Sequence, residues 1–220
     1  MPMLPLKDDN PVVYIRFQYV TLVFIGLCLG VFIWQLGLDE TALGVFMLDY
    51  GMTPVALLHP DAMALLGLVS HTFIHGDWLH LLGNLLFLWV FADNIEDELG
   101  HVRFVIFYFL CGIAAALAHA LLNSGSELPM IGASGAISGV LGAYLLLHPH
   151  ARVLVIAYLP IPLRLPTFVV LGLWAVVNLI QALAGGDAAV AWWAHVGGFV
   201  AGVVLIGPLS PRRGMRRASA

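Results

Sequence analysis

The fold class predicted for this chain is all-α, a polytopic membrane protein with six transmembrane helices and a long structured first outer loop. Three observations carry it. The 220 residues are 61% hydrophobic and only 10% charged, the mean hydropathy is +0.96, and the apolar residues gather into six long runs. Soluble domains do not have this composition. Since a span takes roughly 20 residues, the length holds one bundle of this size and no large soluble domain. The net charge of −4 says little about partners, because in a membrane protein the placement of charge outweighs its sum. Cys28 and Cys111 fall inside apolar runs and read as buried thiols, not as a disulfide framework.

The first run, Phe17 to Leu36, has no charge and closes near Trp34, an interfacial type of residue. The chain before it, with Lys7, Asp8 and Asp9, lacks a signal-peptide layout. From Gly37 to Gly76 the connection is too long for a turn and mixes Asp39, Glu40, Asp49 and Asp61 with apolar patches. It is expected to be structured and partly embedded. Further spans are expected at about Trp78 to Ala92, Phe104 to Leu122, Ile131 to Leu147, Thr167 to Ala184 and Ala189 to Ile206. Between the fourth and fifth, Val153 to Leu159 is too short to cross and is followed by Pro160, Pro162 and Pro166, which suits an interfacial strand-like segment. The chain thus divides into an N-terminal segment (1–16), a membrane domain (17–206) and a basic tail (207–220).

All nine basic residues fall on one side of this arrangement. Lys7 and Arg16 precede span one, Arg103 separates spans two and three, Arg152 and Arg164 separate four and five, and Arg212, Arg213, Arg216 and Arg217 follow span six. The positive-inside rule then puts both termini in the cytoplasm and the long loop outside. An integral, multi-pass protein of a bacterial cytoplasmic membrane is the expected setting. Spans two, four and six run inward, and they carry His80 and Asn84, Ser134 and Ser138, and His195.

Polar residues inside spans are costly and are functional candidates by default, although helix-helix hydrogen bonding is their commoner use. At about 1.5 Å per residue, His80, Ser134 and His195 each lie within roughly 10 Å of the outer end of their helices. His80 and Asn84 are four apart and share a helix face. Gly132 and Gly135 flank Ser134, Gly139 and Gly142 extend the stripe, and Gly198 and Gly202 share a face with His195. Such glycines let backbones approach closely, as a Ser to His hydrogen bond requires. Ser134 is thus a candidate nucleophile, His195 its general base, and His80 and Asn84 oxyanion donors beside the helix start. Spans two, four and six offer no acidic partner for His195, which favours a dyad over a triad. Alone, Gly-Ala-Ser-Gly is equally well a packing motif.

His71-Thr72-Phe73-Ile74-His75, His80-Leu81-Leu82-Gly83-Asn84, Gly100-His101-Val102-Arg103-Phe104, Gly132-Ala133-Ser134-Gly135 and Ala194-His195-Val196-Gly197-Gly198 resemble the ordered motifs of rhomboid intramembrane serine proteases. The resemblance implies Ser134 as nucleophile, His195 as base, His80 and Asn84 as oxyanion contributors and His75 as a cleft residue. It also implies cleavage of transmembrane protein substrates near the outer face, often beside small or helix-destabilising residues. Two positions depart from the pattern. Leu66 and Gly67 stand where many members carry Trp-Arg, and Ser138 stands where some place an aromatic ring against the catalytic histidine.

Other classes fit less well. His71, His75 and His80 with Asp77 cluster in sequence, but the spacing is not His-Glu-x-x-His, and His71 and His75 read as loop histidines facing water or the interface. No metal or cofactor is expected. A transporter would need a polar path, for which Asn178, Gln181 and His119 are the further candidates, and helix-helix bonding is their simpler role. A non-proteolytic adaptor binding transmembrane clients would not need Ser134 and His195. The expected partners are the lipid bilayer and transmembrane proteins, with no nucleic acid; oligomeric state is not legible.

Overall fold

The computed structural model describes residues 4–156, 161–187 and 189–211. The elements are β1 (Leu4–Asp8), α1 (Tyr19–Gln35), α2 (Glu40–Tyr50), a 3₁₀ turn (Pro54–Leu58), α3 (Ala62–Ser70), a second 3₁₀ turn (His71–Phe73), α4 (Trp78–Leu99) and α5 (His101–Leu122). They continue with α6 (Ser134–Leu147), β2 (Arg152–Ile156), β3 (Pro162–Pro166), α7 (Thr167–Ala184) and α8 (Trp192–Leu209). The protein is a mostly helical polytopic membrane bundle. By length and composition α4, α5, α7 and α8 suffice to cross a membrane, while α1 and α6 are shorter apolar helices.

The acids of the long loop are local helix signals. Asp39, Asp61 and Asp77 each accept a 2.8 Å bond from the backbone N–H three residues on, the N-cap arrangement that starts α2, α3 and α4. The expected structured loop is therefore two helices and two 3₁₀ turns.

Helix α6 has 14 residues, about 21 Å at 1.5 Å per residue, against a hydrocarbon core of about 30 Å. A short span is tolerated because α6 is central. Every residue from Gly135 to Tyr144 is buried, as are Met130, Gly132 and Ala133 just before it, so the irregular backbone next to the helix meets protein rather than lipid. That backbone is satisfied: Met52 and Met130 exchange bonds of 3.0 and 2.9 Å, and Gly132 N–H donates to the carbonyl of His71 at 2.8 Å.

Helix α8 packs on α6 almost backbone to backbone. A Cβ built at Gly198 would lie 3.0 Å from the carbonyl carbon of Gly135, and one at Gly202 would lie 2.5 Å from that of Gly139. Any side chain at either position would part the helices. Gly67, at the departing Trp-Arg position, plays a similar part in the loop, since a Cβ there would lie 2.6 Å from the carbonyl oxygen of Gly51.

The structure departs from the sequence-based expectations in three places. First, the helix that carries the second span does not stop near Ala92: α4 runs on to Leu99 through the buried Asn94, Glu96, Asp97 and Glu98. These groups are tolerated because they are bonded. Glu96 accepts from the N–H groups of Val20 (3.0 Å) and Thr21 (2.8 Å) and from the Thr21 hydroxyl (2.7 Å). Asp97 accepts from the N–H groups of Val13, Tyr14 and Ile15. Second, the N-terminal segment contributes a strand: β1 heads a three-stranded antiparallel sheet in the order β1-β2-β3. The strand expected from Val153 is β2, ending at Ile156; Ala157 to Pro160 and the four tail arginines lie outside the described residues. Third, His71 and His75 do not face water. Both are fully buried.

Candidate functional site

Ser134 is the first residue of α6. The chain enters it through Gly132, whose φ of +112° is one that side-chain-bearing residues rarely adopt. Space demands the same residue, since a Cβ at Gly132 would lie 2.5 Å from His80 Nε2 and 3.7 Å from Asn84 Nδ2. Gly132 thus lets the turn before Ser134 lie directly against those two side chains of α4.

Across the α6–α8 crossing, the Gly135–Gly198 contact brings the first turns of the two helices together. Ser134 Oγ and His195 Nε2 are 2.8 Å apart, within hydrogen-bond range. His195 is 6% exposed, and Ser134 is half-buried. The other ring nitrogen is also engaged: His195 Nδ1 lies 2.7 Å from Asn178 Oδ1. Asn178 sits on α7, which a search for partners confined to spans two, four and six passes over. Its sequence signal was a lone amide in an apolar run, read as a helix-helix bond.

The ring of His195 is flanked by two indoles, Trp174 with centroids 5.9 Å apart and Trp192 at 6.0 Å. These rings, from α7 and α8, supply aromatic contacts to His195 that Ser138 of α6 does not. Ser138 in that position is fully buried and donates its hydroxyl to the Ser134 carbonyl at 2.6 Å.

Asn84 is buried, and its Nδ2 has no partner among the described residues. An unpaired buried donor is costly, and this one lies against the turn at Gly132 that leads into Ser134. His75 packs edge-on against His80 with ring centroids 5.2 Å apart. Its backbone is held by Gln35, whose side-chain amide donates to the His75 carbonyl at 3.0 Å. Burial, with a smaller contribution from His80, pushes His75 down to about 4, so it adds no charge beside the site at neutral pH.

The structure therefore brings together Ser134, His195, His80, Asn84 and Gly132, with His75 packed behind His80. Gly135 and Gly198 form the crossing, and Gly202 lies deeper along it. Of the transporter candidates, His119 bonds locally to Asn123 and Asn178 bonds to His195. Beside His195 a cavity of about 360 Å³ is lined by Phe87 of α4, by Trp174, Asn178 and Gln181 of α7 and by Trp192.

A polytopic helical membrane protein with a serine and a histidine hydrogen-bonded between two inner helices is the class that this fold and site define. The family model described as the Rhomboid domain matches residues 63–212; the chain belongs to the rhomboid family. It is similar to "Rhomboid protein 1, mitochondrial" of Saccharomyces cerevisiae, 29% identical over 209 residues, which is 88% of this chain and 55% of that protein. It is also similar to "RHOMBOID-like protein 4" of Arabidopsis thaliana, 34% identical over 140 residues, 63% of this chain and 32% of that one. "Presenilin-associated rhomboid-like protein, mitochondrial" of Mus musculus is 35% identical over 92 residues, 41% of this chain and 24% of that protein. The chain spans about half or less of the length of these relatives.

Proposed function

We propose that the protein is an intramembrane serine endopeptidase acting on transmembrane substrates near the outer face, within a membrane domain spanning about 17–206. The observation that carries this reading is the 2.8 Å contact between Ser134 Oγ and His195 Nε2, made beside the buried Asn84 Nδ2, which has no partner among the described residues. A serine used only for packing needs neither neighbour.

In the proposed reaction, Ser134 Oγ attacks the scissile carbonyl carbon while His195 Nε2 takes its proton. The carbonyl oxygen, now negative, is met by Asn84 Nδ2, His80 and the N–H groups at the start of α6, where the helix dipole is positive. Collapse of this intermediate breaks the C–N bond, and the imidazolium returns its proton to the leaving amine. Water then repeats the sequence on the acyl-enzyme and releases the new carboxylate. The position of Ser134 at the helix start supports water entry from the outer side. The apolar cavity between α4 and α7 supports lateral approach of a substrate side chain from lipid.

The proposed setting is a bacterial cytoplasmic membrane with both termini inside, an orientation supported by the basic residues. The words mitochondrial and chloroplastic in several relatives' names describe those proteins. A fluorophosphonate probe tests the reading. Covalent mass added at Ser134, lost in His195→Ala, is the expected result. A folded protein that leaves Ser134 unlabelled while still binding a transmembrane client would instead identify an adaptor.

A further inference from the structure

We propose that Asn178 is the positioning residue for His195, so that the Ser134-His195 dyad is oriented by a third, uncharged side chain. The inference rests on the protease reading for its kinetic consequence, but its structural content does not depend on it.

Asn178 is 3% exposed, and its amide orientation is set by a second bond. Nδ2 lies 2.7 Å from the backbone carbonyl oxygen of Trp174, a group that only accepts. The amide nitrogen must therefore face Trp174, which turns Oδ1 toward His195 Nδ1 at 2.7 Å. A carbonyl oxygen also only accepts, so the ring proton of neutral His195 sits on Nδ1. Nε2 is left with a lone pair directed at the Ser134 hydroxyl 2.8 Å away, the tautomer that a general base on that side requires. Trp174 and Trp192 pack on the ring, but their indole N–H groups do not bond to it among the described residues: Trp192 Nε1 donates to the Asp187 carbonyl and Trp174 Nε1 has no partner there, so neither selects the tautomer.

When Nε2 accepts the serine proton, Nδ1–H becomes a donor from an imidazolium, and its bond to Asn178 Oδ1 strengthens. The stabilisation therefore falls on the transition state more than on the substrate complex. An uncharged amide suits a site facing lipid, because a carboxylate there would carry a desolvation cost. The earlier expectation of an unassisted histidine is thus replaced by an amide partner from a helix that runs antiparallel to α8.

The test uses the full-length protein in lipid nanodiscs. Nitrogen-15 NMR of the His195 ring, assigned by its loss in His195→Ala, is expected to show the Nδ1-protonated tautomer; an Nε2-protonated ring in wild type would overturn the proposal. Asn178→Leu, similar in shape but lacking the acceptor, is expected to lose the single tautomer and to lower kcat about 10- to 100-fold, the range for a hydrogen bond to a charged group, with little change in KM. Asn178→Asp, which keeps an acceptor oxygen, is expected to restore the Nδ1-protonated form and part of kcat. If Asn178→Leu retains both tautomer and kcat, the proposal fails while the protease reading stands. If Ser134→Ala cleaves like wild type, the protease reading fails, and the NMR result still decides the role of Asn178.

Discussion

Gly202→Ala probes how packing sets the chemistry. A Cβ at this position would lie 2.5 Å from the carbonyl carbon and 2.6 Å from the Cα of Gly139, whereas carbon atoms pack at about 3.5 to 4.0 Å. Because backbone cannot rotate away, α6 and α8 must separate by about 1 Å. Transmitted along the crossing to the Ser134–His195 pair, now 2.8 Å apart, that displacement carries the contact beyond the hydrogen-bond limit of about 3.2 Å. Overpacking of this kind costs about 1 to 3 kcal/mol of stability, and a 1 Å misplacement costs about 10²-fold in rate. The control is Gly30→Ala on α1, where an added Cβ meets nothing within 4 Å. Cleavage of a reconstituted transmembrane substrate and the rate of fluorophosphonate labelling at Ser134 are both measured. Folded Gly202→Ala protein that matches Gly30→Ala in both would refute the claim that the glycine crossing sets the dyad.

Four other outcomes are expected. Asn84→Ala removes the proposed oxyanion donor and is expected to lower kcat by about 10²- to 10³-fold with KM little changed, measured by steady-state cleavage. Glu96→Ala strips the buried N–H groups of Val20 and Thr21 of their acceptor and is expected to cost on the order of 3 kcal/mol, read as a lower unfolding midpoint. Burial raises the pKa of Asp8 above its ordinary 3.8, so the fold favours its protonated form. Its contribution is present below that ordinary value and is lost as pH rises through the folded value. Asp8→Asn keeps an acceptor for the Tyr144 hydroxyl and is expected to be more stable than wild type at neutral pH, converging with it at acid pH in a thermal unfolding series. Cleavage is expected to persist in a chelator, and its loss there would favour a metal mechanism.

The residues legible in the sequence were those whose chemistry conflicts with lipid. Ser134, His195, His80 and Asn84 stood out because polar side chains at one depth on parallel spans cannot be explained by composition. Asn178 carried the same signal but sits on an antiparallel span, so depth counted along inward-running helices missed it. The inner end of α4 was hidden for a different reason: hydropathy reads Glu96 and Asp97 as the exit from the membrane, whereas backbone N–H groups some 75 to 84 positions earlier neutralise their cost. The pairing of Leu4 with Ile156 is equally non-local, and a five-residue strand has no periodicity strong enough to announce it. The burial of His71 and His75 follows from the folding of the long loop onto the helix starts, which local sequence does not encode.

The most direct measurement compares wild type, Ser134→Ala and His195→Ala in proteoliposomes carrying a transmembrane substrate. Cleavage by wild type alone, with all three folded and the new terminus mapped near the outer face, is the expected result; equal cleavage by all three would contradict the account.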